Sequence, residues 1–418
     1  MEQQDIIIIG AGIAGLVAAR TLSEKHRVTI LEASDRLGGR IFSNTLGPIS
    51  GIVERGAEFI HGDAEETIKL LKEAGIKYKS MAGHMYRKED GSLKKETEIT
   101  EHWDAMMDKM KDAPADLILN DFLNAYFPGE AYEGLRQQAA GYAQGFDLAD
   151  AKYATIGPLY NEWSNENYEN YFIPGGYSEL IKFLAERCKD NGCEIITNTI
   201  VNQVVWKQGL VTVHAGNGTI HSGEKIIITV PVSILQNSDH KAAIQFTPAI
   251  KQYSYAARQI GFGHIIKAVL EFREDFIKKD IGFVVSDQLF PTWWTLHQRT
   301  VWTGWLGGPK AKNIAHLNDE ELLEKALVSF ASIFNMSMPE LSAQLKSWEI
   351  VNWQRNEYAL GGYSYALKGT NEAIALLSTP IQDTIYFAGE ALYSGPHPGT
   401  VEAAIVSAQK LADHFTGS

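Results

Sequence analysis

Asp5-Ile6-Ile7-Ile8-Ile9-Gly10-Ala11-Gly12-Ile13-Ala14-Gly15-Leu16-Val17-Ala18-Ala19-Arg20-Thr21-Leu22 is the stretch on which the fold turns. Its consecutive isoleucines form a short, fully apolar, β-branched run, as a strand buried on both faces of a parallel sheet requires. Three glycines and a good helix-forming run follow. Gly10 allows a tight turn, Gly12 lets a pyrophosphate approach the backbone, and Gly15 lets the helix pack on the strand. The helix N-terminus then offers free N–H groups and partial positive charge to phosphates. A second strand, Arg27-Val28-Thr29-Ile30-Leu31, ends at Glu32, 22 residues after Gly10, where a carboxylate can accept ribose hydroxyls. A lone GxGxxG is weak, but strand, glycines, helix, strand and acid in order read as a dinucleotide-binding βαβ unit. The spacing alone leaves the dinucleotide open.

Working outward, Arg36-Leu37-Gly38-Gly39-Arg40 adds a second glycine turn bracketed by arginines, which would neutralise a pyrophosphate with forked hydrogen bonds. A nicotinamide dehydrogenase has no need of this extension. A second fingerprint is absent: Gly261-Phe262-Gly263 lacks the third glycine and its helix. With one dinucleotide site, a flavin would be reduced directly by substrate. Residues 77–191 read as polar and mostly helical, 195–206 and 210–215 as strands, and 225–230 as another buried strand. Beyond Gln245 lies a β-rich block whose Trp293, Trp294, Trp302 and Trp305 read as core packing, then helices over 319–345. Residues 384–390 return to strand and turn, and 400–415 form an amphipathic helix. The fold class is therefore α/β, with a Rossmann-type domain assembled from 1–76, 195–250 and 371–418. An α+β substrate-binding domain is expected over 77–194 and 251–370.

The chain has 418 residues, 45% hydrophobic and 21% charged, ordinary for a globular protein. Its 38 basic and 51 acidic side chains give a net charge of −13, which argues against nucleic-acid or acidic-membrane binding and suits a cationic ligand. The uncharged apolar run of residues 6–19 is only 14 residues long. A membrane helix needs about 18. Glu2 and Asp5 stand where a signal peptide would be basic. Two cysteines, Cys188 and Cys193, make no disulfide framework and point to a reducing, cytoplasmic setting.

Several blocks in order give the sequence its resemblance to the flavin amine oxidase family of monoamine oxidases, polyamine oxidases and flavin histone demethylases. They are GAGIAGLVAA from Gly10, LEASDRLGGR from Leu31, GAEFIHG from Gly56, IIITVPVSIL from Ile226, the stretch around Lys267, Gly361-Gly362-Tyr363-Ser364, FAGE from Phe387 and HPGTVEAAIVSA from His397. The resemblance spans nearly the whole chain. It implies the amine oxidase fold, with FAD in the Rossmann-type domain and a substrate cavity opening onto the flavin ring. It assigns Gly10, Gly12, Gly15, Glu32, Arg36, Gly39 and Arg40 to the ADP half and pyrophosphate, and Gly56, Ala57 and Glu58 to the cofactor site. It further assigns the Val204 backbone to the adenine, Gly389 and Glu390 to the pyrophosphate and ribityl chain, and Thr400 and Val401 to the flavin ring.

Among catalytic positions, the resemblance makes Lys267 the holder of a water against flavin N5. Trp353 and Tyr363 become aromatic walls that favour an amine nitrogen and exclude water. The second tyrosine of the monoamine oxidases is replaced by Thr400, as in the histone demethylases. The cysteine that carries covalent flavin corresponds to Gly362, so FAD is expected to be non-covalent, and no metal is called for. The implied chemistry is oxidation of a C–N bond in a small-molecule amine, with dioxygen as acceptor and hydrogen peroxide as product. His61 of Ile-His-Gly matches a polyamine oxidase histidine that points into the substrate channel, whereas it could also be satisfied within a loop. Glu58, Glu162, Glu166 and Glu357 could attract a cation or lie at the surface. The amine could be a polyamine or another primary or secondary amine. The other readings are a related flavoprotein for a bulky apolar substrate and a flavin-bound module without turnover. With no recognition tail, tower-like insertion or membrane anchor in the sequence, chromatin and outer-membrane roles are not expected. Oligomeric state is left open.

Overall fold

The computed structural model describes residues 3–95, 102–165, 169–296 and 298–416. β1 (Asp5–Ile9) runs through the glycine turn into α1 (Ile13–Leu22) and returns as β2 (Arg27–Leu31). These strands belong to a five-stranded, all-parallel sheet ordered Glu194–Ile196, β2, β1, Lys225–Ile228, Ile385–Phe387. The isoleucine run is apolar throughout because both sheet faces are covered. Ile6 and Ile8 share a core with α1 and the last helix, Val401–Thr416. Ile7 and Ile9 face a second core with Val204, Val211 and Val213 of a four-stranded sheet.

Two segments fall elsewhere than their sequence positions indicate. The helix Ser178–Asp190 buries Leu180, Ile181, Leu184 and Cys188 in the same core as α1. The helix Lys251–Ala257 buries Tyr253, Ala256 and Ala257 against the opposite side of the parallel sheet. The boundaries expected at 194 and 250 therefore cut through packed layers. Amphipathic periodicity reveals that a helix has an apolar face, not which sheet that face meets. The single strand expected over 195–206 is two strands in two sheets, Glu194–Ile196 and Val201–Lys207, with Asn198 at φ 53° between them.

The second layer is a seven-stranded mixed sheet ordered Leu345–Asn352, Ile265–Phe272, Val301–Gly307, Thr292–Trp294, Ile281–Val285, His84–Glu89, Ser92–Lys95. Its last two strands lie within the stretch expected to be mostly helical. Alternation along a strand sends neighbours to opposite faces. Ile266, Ala268, Leu270 and Phe272 thus enter one core with Trp293, Trp302 and Phe330 of the helix Asp319–Phe334. Lys267, Trp294 and Trp305 turn to the other face. The helix Glu133–Gly145 covers that face, where Trp305 Nε1 donates to the Gly145 carbonyl at 2.7 Å. Among the described residues no helix is long and apolar enough to cross a membrane.

Candidate active site

A cavity of about 1750 Å³ begins at the carboxyl ends of the parallel strands and continues between the seven-stranded sheet and the helix Glu133–Gly145. Ligands of open parallel sheets bind at this end, because helix N-termini point there. Gly10 adopts φ +104°, and a Cβ on Gly15 would lie 2.0 Å from the Gly10 carbonyl oxygen. Gly15 is thus a packing residue that draws α1 onto β1, and it does not line the cavity. Gly12 differs: a Cβ there meets nothing within 4 Å, and α1 has no side-chain cap. Its first N–H groups open directly on the cavity. The second glycine turn docks on the first through Gly38 N–H to the Ala11 carbonyl at 2.8 Å.

The charges around these turns suit a dinucleotide. Glu32 is buried, its Oε2 accepting from Ala11 N–H at 2.6 Å and its Oε1 from Ser34 N–H at 2.9 Å. Each carboxylate oxygen keeps a lone pair for a hydroxyl. Arg36 donates to the carbonyls of Leu37, Gly39 and Ile41 and lies 4.0 Å from the Phe42 ring centre, which braces the turn without cancelling its charge. Arg40 reaches across the cavity to the Gly362 carbonyl at 2.8 Å and Glu390 Oε1 at 2.7 Å. Glu390 Oε2 in turn accepts from Ser364 Oγ at 2.6 Å. Gly389, at φ +150° with open space where a Cβ would stand, keeps the backbone bare at the edge of the cavity. Gly39, Gly56, Ala57, Thr400 and Val401 also line it. An uncapped helix end, bare glycines, a buried acid and two arginines fit a flavin dinucleotide. Val204 lies elsewhere. It is fully buried in the four-stranded sheet, and Thr199, Ile200 and Val201, three to five residues earlier, face the cavity instead. The break at Asn198 shifts the register that a continuous strand would have imposed.

Beyond the glycine turns the cavity becomes an aromatic chamber. Trp353 is buried, with Nε1 donating to the Arg55 carbonyl at 2.7 Å. Tyr363 donates its hydroxyl to the Phe146 carbonyl, and its ring fills the space a side chain at Gly399 would need. Burial holds the Tyr363 phenol well above its ordinary range, so it stays protonated. Thr400 offers no second wall, since its hydroxyl donates to the His397 carbonyl at 2.7 Å and accepts from Ala403 N–H at 3.1 Å. It caps the last helix. Two positions on, Glu402 accepts from Glu66 N–H, Thr67 N–H and Thr67 Oγ1 at 2.9, 2.7 and 2.6 Å. The HPGTVEAA block is thereby bonded to the helix that follows GAEFIHG.

His61 lines the chamber between Phe59 and Phe146, with Nδ1 2.7 Å from Asn170 Oδ1. An amide oxygen only accepts, so Nδ1 carries the proton and Nε2 a lone pair. Burial lowers the imidazole pKa, with the Asn170 bond opposing and the His397 charge reinforcing the shift. Lys267 is 1% exposed and donates to the Glu54 carbonyl at 3.0 Å, the Gly56 carbonyl at 2.8 Å and Glu58 Oε2 at 2.9 Å. An ammonium has three donors. All three have partners within the protein. Its charge also lies 5.7 Å from the rings of both Trp294 and Trp305.

Trp294 and Trp305 line the cavity, contrary to the core role expected for all four tryptophans of this block; Trp293 and Trp302 do lie in the core. Strand alternation was the signal that separates the pairs. Tyr142 and Phe146, stacked at 5.4 Å, also went unread because no motif marks them. Of the four carboxylates considered for a cation, Glu58 is ion-paired and Glu162 lines the cavity. Glu357 is exposed and pairs with Lys241, and Glu166 lies outside the described residues.

Residues 13–414 match the family described as flavin containing amine oxidoreductase. Human lysine-specific histone demethylase 2 is 25% identical over 454 residues, a match covering 98% of this chain and 53% of that protein. The chain thus spans about half the length of that relative. Polyamine oxidase 4 of Oryza sativa subsp. japonica is 26% identical over 452 residues, covering 98% of this chain and 88% of the relative. A solved putrescine oxidase with bound putrescine superposes with a TM-score of 0.84 at 19% identity, each chain fully covered, which speaks for the fold. Glycine turns, acid, arginine pair and aromatic chamber occur together in a chain that matches one family over residues 13–414, and it belongs to the flavin-containing amine oxidoreductases.

Proposed function

We propose that the chain is an FAD-dependent amine oxidase that oxidises a C–N bond of a small primary or secondary amine, with dioxygen as acceptor and hydrogen peroxide as product. The observation that carries this reading is the continuity of the cavity from the bare N-terminus of α1 to the chamber of Tyr363, Trp353, Trp294, Trp305 and His61. Gly12, Glu32, Arg36 and Gly39 would hold the ADP half, and Arg40, Gly389 and Glu390 the middle. FAD, when bound, supplies the two-electron acceptor for the hydride that leaves the carbon next to nitrogen. The protein binds, orients and dries. An amine must shed its proton before its lone pair can assist hydride loss. The aromatic walls favour the neutral form by desolvation, and the Nε2 lone pair of His61 accepts an N–H from a second, distal nitrogen. That second contact favours diamines and polyamines. Cys188 and Cys193 are free, buried thiols, which suits a reducing compartment.

The deciding experiment is an anaerobic visible spectrum of the purified protein. It is titrated with putrescine, spermidine, N-acetylated polyamines, an arylalkylamine and a methyl-lysine peptide. Bleaching by diamines or polyamines supports the reading. Bleaching by the peptide alone would move the substrate to a protein side chain, and a colourless protein would refute the flavin assignment.

A further inference from the structure

The wall formed by residues 54–58 and the strand Ile265–Phe272 has an arrangement that the reaction, as derived above, does not use. Lys267 spends all three donors on one short segment: two on the carbonyls of Glu54 and Gly56 and the third on Glu58 Oε2. Glu58 is equally committed, its Oε1 accepting from Trp294 Nε1 at 2.9 Å. Trp294 itself is held between Phe59, at 5.3 Å edge-on, and Phe283, stacked at 5.9 Å. A carboxylate and an ammonium that are 9% and 1% exposed cannot rotate into solvent independently. Loss of either would leave the other buried without its counter-charge. Two further cations are matched in the same way, Arg40 to Glu390 and Arg55 to Glu349.

We propose that Glu58 is a positioning residue: it pins the last N–H of Lys267 and cancels its charge, so that this wall presents a neutral pair rather than a cation to the flavin. The inference rests on the flavin reading above. A lone ammonium lining the cavity would stabilise negative charge on the ring, whereas a close ion pair acts only as a dipole, whose field decays faster with distance. At an effective dielectric typical of protein sites, one unit charge within about 10 Å changes the affinity for an anionic state about tenfold. Glu58 reduces that effect to the weaker field of a dipole.

The test uses the flavin-loaded, full-length protein and inorganic sulfite, whose addition to an oxidised flavin leaves negative charge on the ring and bleaches the visible bands. Glu58→Gln keeps the size and an amide oxygen for Lys267 or Trp294 but removes the charge. Its sulfite affinity is expected to rise about tenfold and its flavin midpoint potential to move positive. Lys267→Met is expected to shift both in the opposite sense, the double variant to return close to wild type, and Glu58→Asp to restore wild-type behaviour. A yellow Glu58→Gln protein with unchanged sulfite affinity and potential overturns the proposal, as do single variants that shift in the same direction. If Glu58→Gln loses flavin, the double variant decides. Flavin regained when both charges are removed supports the proposal, and flavin lost again makes Glu58 a packing residue. A wild-type protein that purifies without flavin overturns the proposed function, and this proposal with it.

Discussion

Replacing Gly12 and Gly15 separately by alanine divides two roles that one glycine signature combines. Gly12 has φ −69° and ψ 176°, extended backbone that alanine adopts freely, and nothing lies within 4 Å of a Cβ there. The Gly12→Ala fold should lose no more than a few tenths of a kcal/mol to about 1 kcal/mol, the difference between a glycine and an alanine cap. The new methyl, however, stands over the N–H groups of α1, where a pyrophosphate must reach the backbone. Losing one or two charge-assisted hydrogen bonds at about 1.5–3 kcal/mol each weakens flavin binding at least tenfold. Gly15→Ala reverses the outcome. Its Cβ would lie 2.0 Å from the Gly10 carbonyl and 2.9 Å from Thr229 Oγ1, so α1 must move off β1. Such overpacking costs about 1–3 kcal/mol, offset by about 1 kcal/mol from alanine's better helix propensity. Two measurements separate the cases: flavin absorbance per protein after gel filtration, and urea unfolding in flavin-free buffer. Gly12→Ala should be pale with a near-wild-type midpoint, and Gly15→Ala destabilised. A Gly12→Ala protein that remains fully yellow would refute placing the pyrophosphate at this turn.

Acid precipitation should release the yellow colour into the supernatant, because the attachment position is Gly362, packed against Leu148, and carries no thiol; colour in the pellet would overturn non-covalent binding. Burial pushes the Glu54 carboxyl from 4.5 up to about 7. The unfolded chain therefore releases this proton first, and stability falls by about 3 kcal/mol as pH rises from about 4.5 to about 7, then stays level. Glu54→Gln should flatten that slope in urea titrations at about pH 5 and pH 8, and an unaltered slope would sink the assignment. His61→Ala should raise KM for diamines and polyamines more than for monoamines; equal effects would return His61 to a packing role.

The dinucleotide half was legible because its residues act through local backbone geometry. Gly10, Gly12, Gly15 and Glu32 occupy fixed offsets around one turn, and a sequence displays offsets directly. The substrate half is built by alternation and by contacts between distant elements. Trp294 and Trp305 differ from Trp293 and Trp302 only in strand parity, which needs the strand limits to be known. Thr199, Ile200 and Val201 line the cavity in place of Val204, because the chain breaks at Asn198 and splits the expected strand in two. The resemblance marks Lys267 but not what surrounds it. Its partners within the protein, the Glu54 and Gly56 carbonyls and Glu58, lie more than 200 positions away in sequence. Tyr142, Phe146 and Asn170 carry no spacing signal at all, since their place depends on how the helix Glu133–Gly145 and a short strand fold back over the sheet.

The parallel sheet takes its central strand from residues 5–9 and its edge strand from residues 385–387. Residues 10–384 separate the two, so synthesis delivers the centre of that sheet long before this rim. The isoleucines of β1 stay partly uncovered until the helix Val401–Thr416 that shields them has been made. Pairings of such long sequence separation form slowly and leave sticky intermediates exposed. Gly389 and Glu390 sit beyond that strand, so the nascent chain cannot close around a cofactor before residue 390 has emerged. Flavin binding is consequently expected to follow the pairing of that rim strand, and flavin supplied during expression to act after it rather than before.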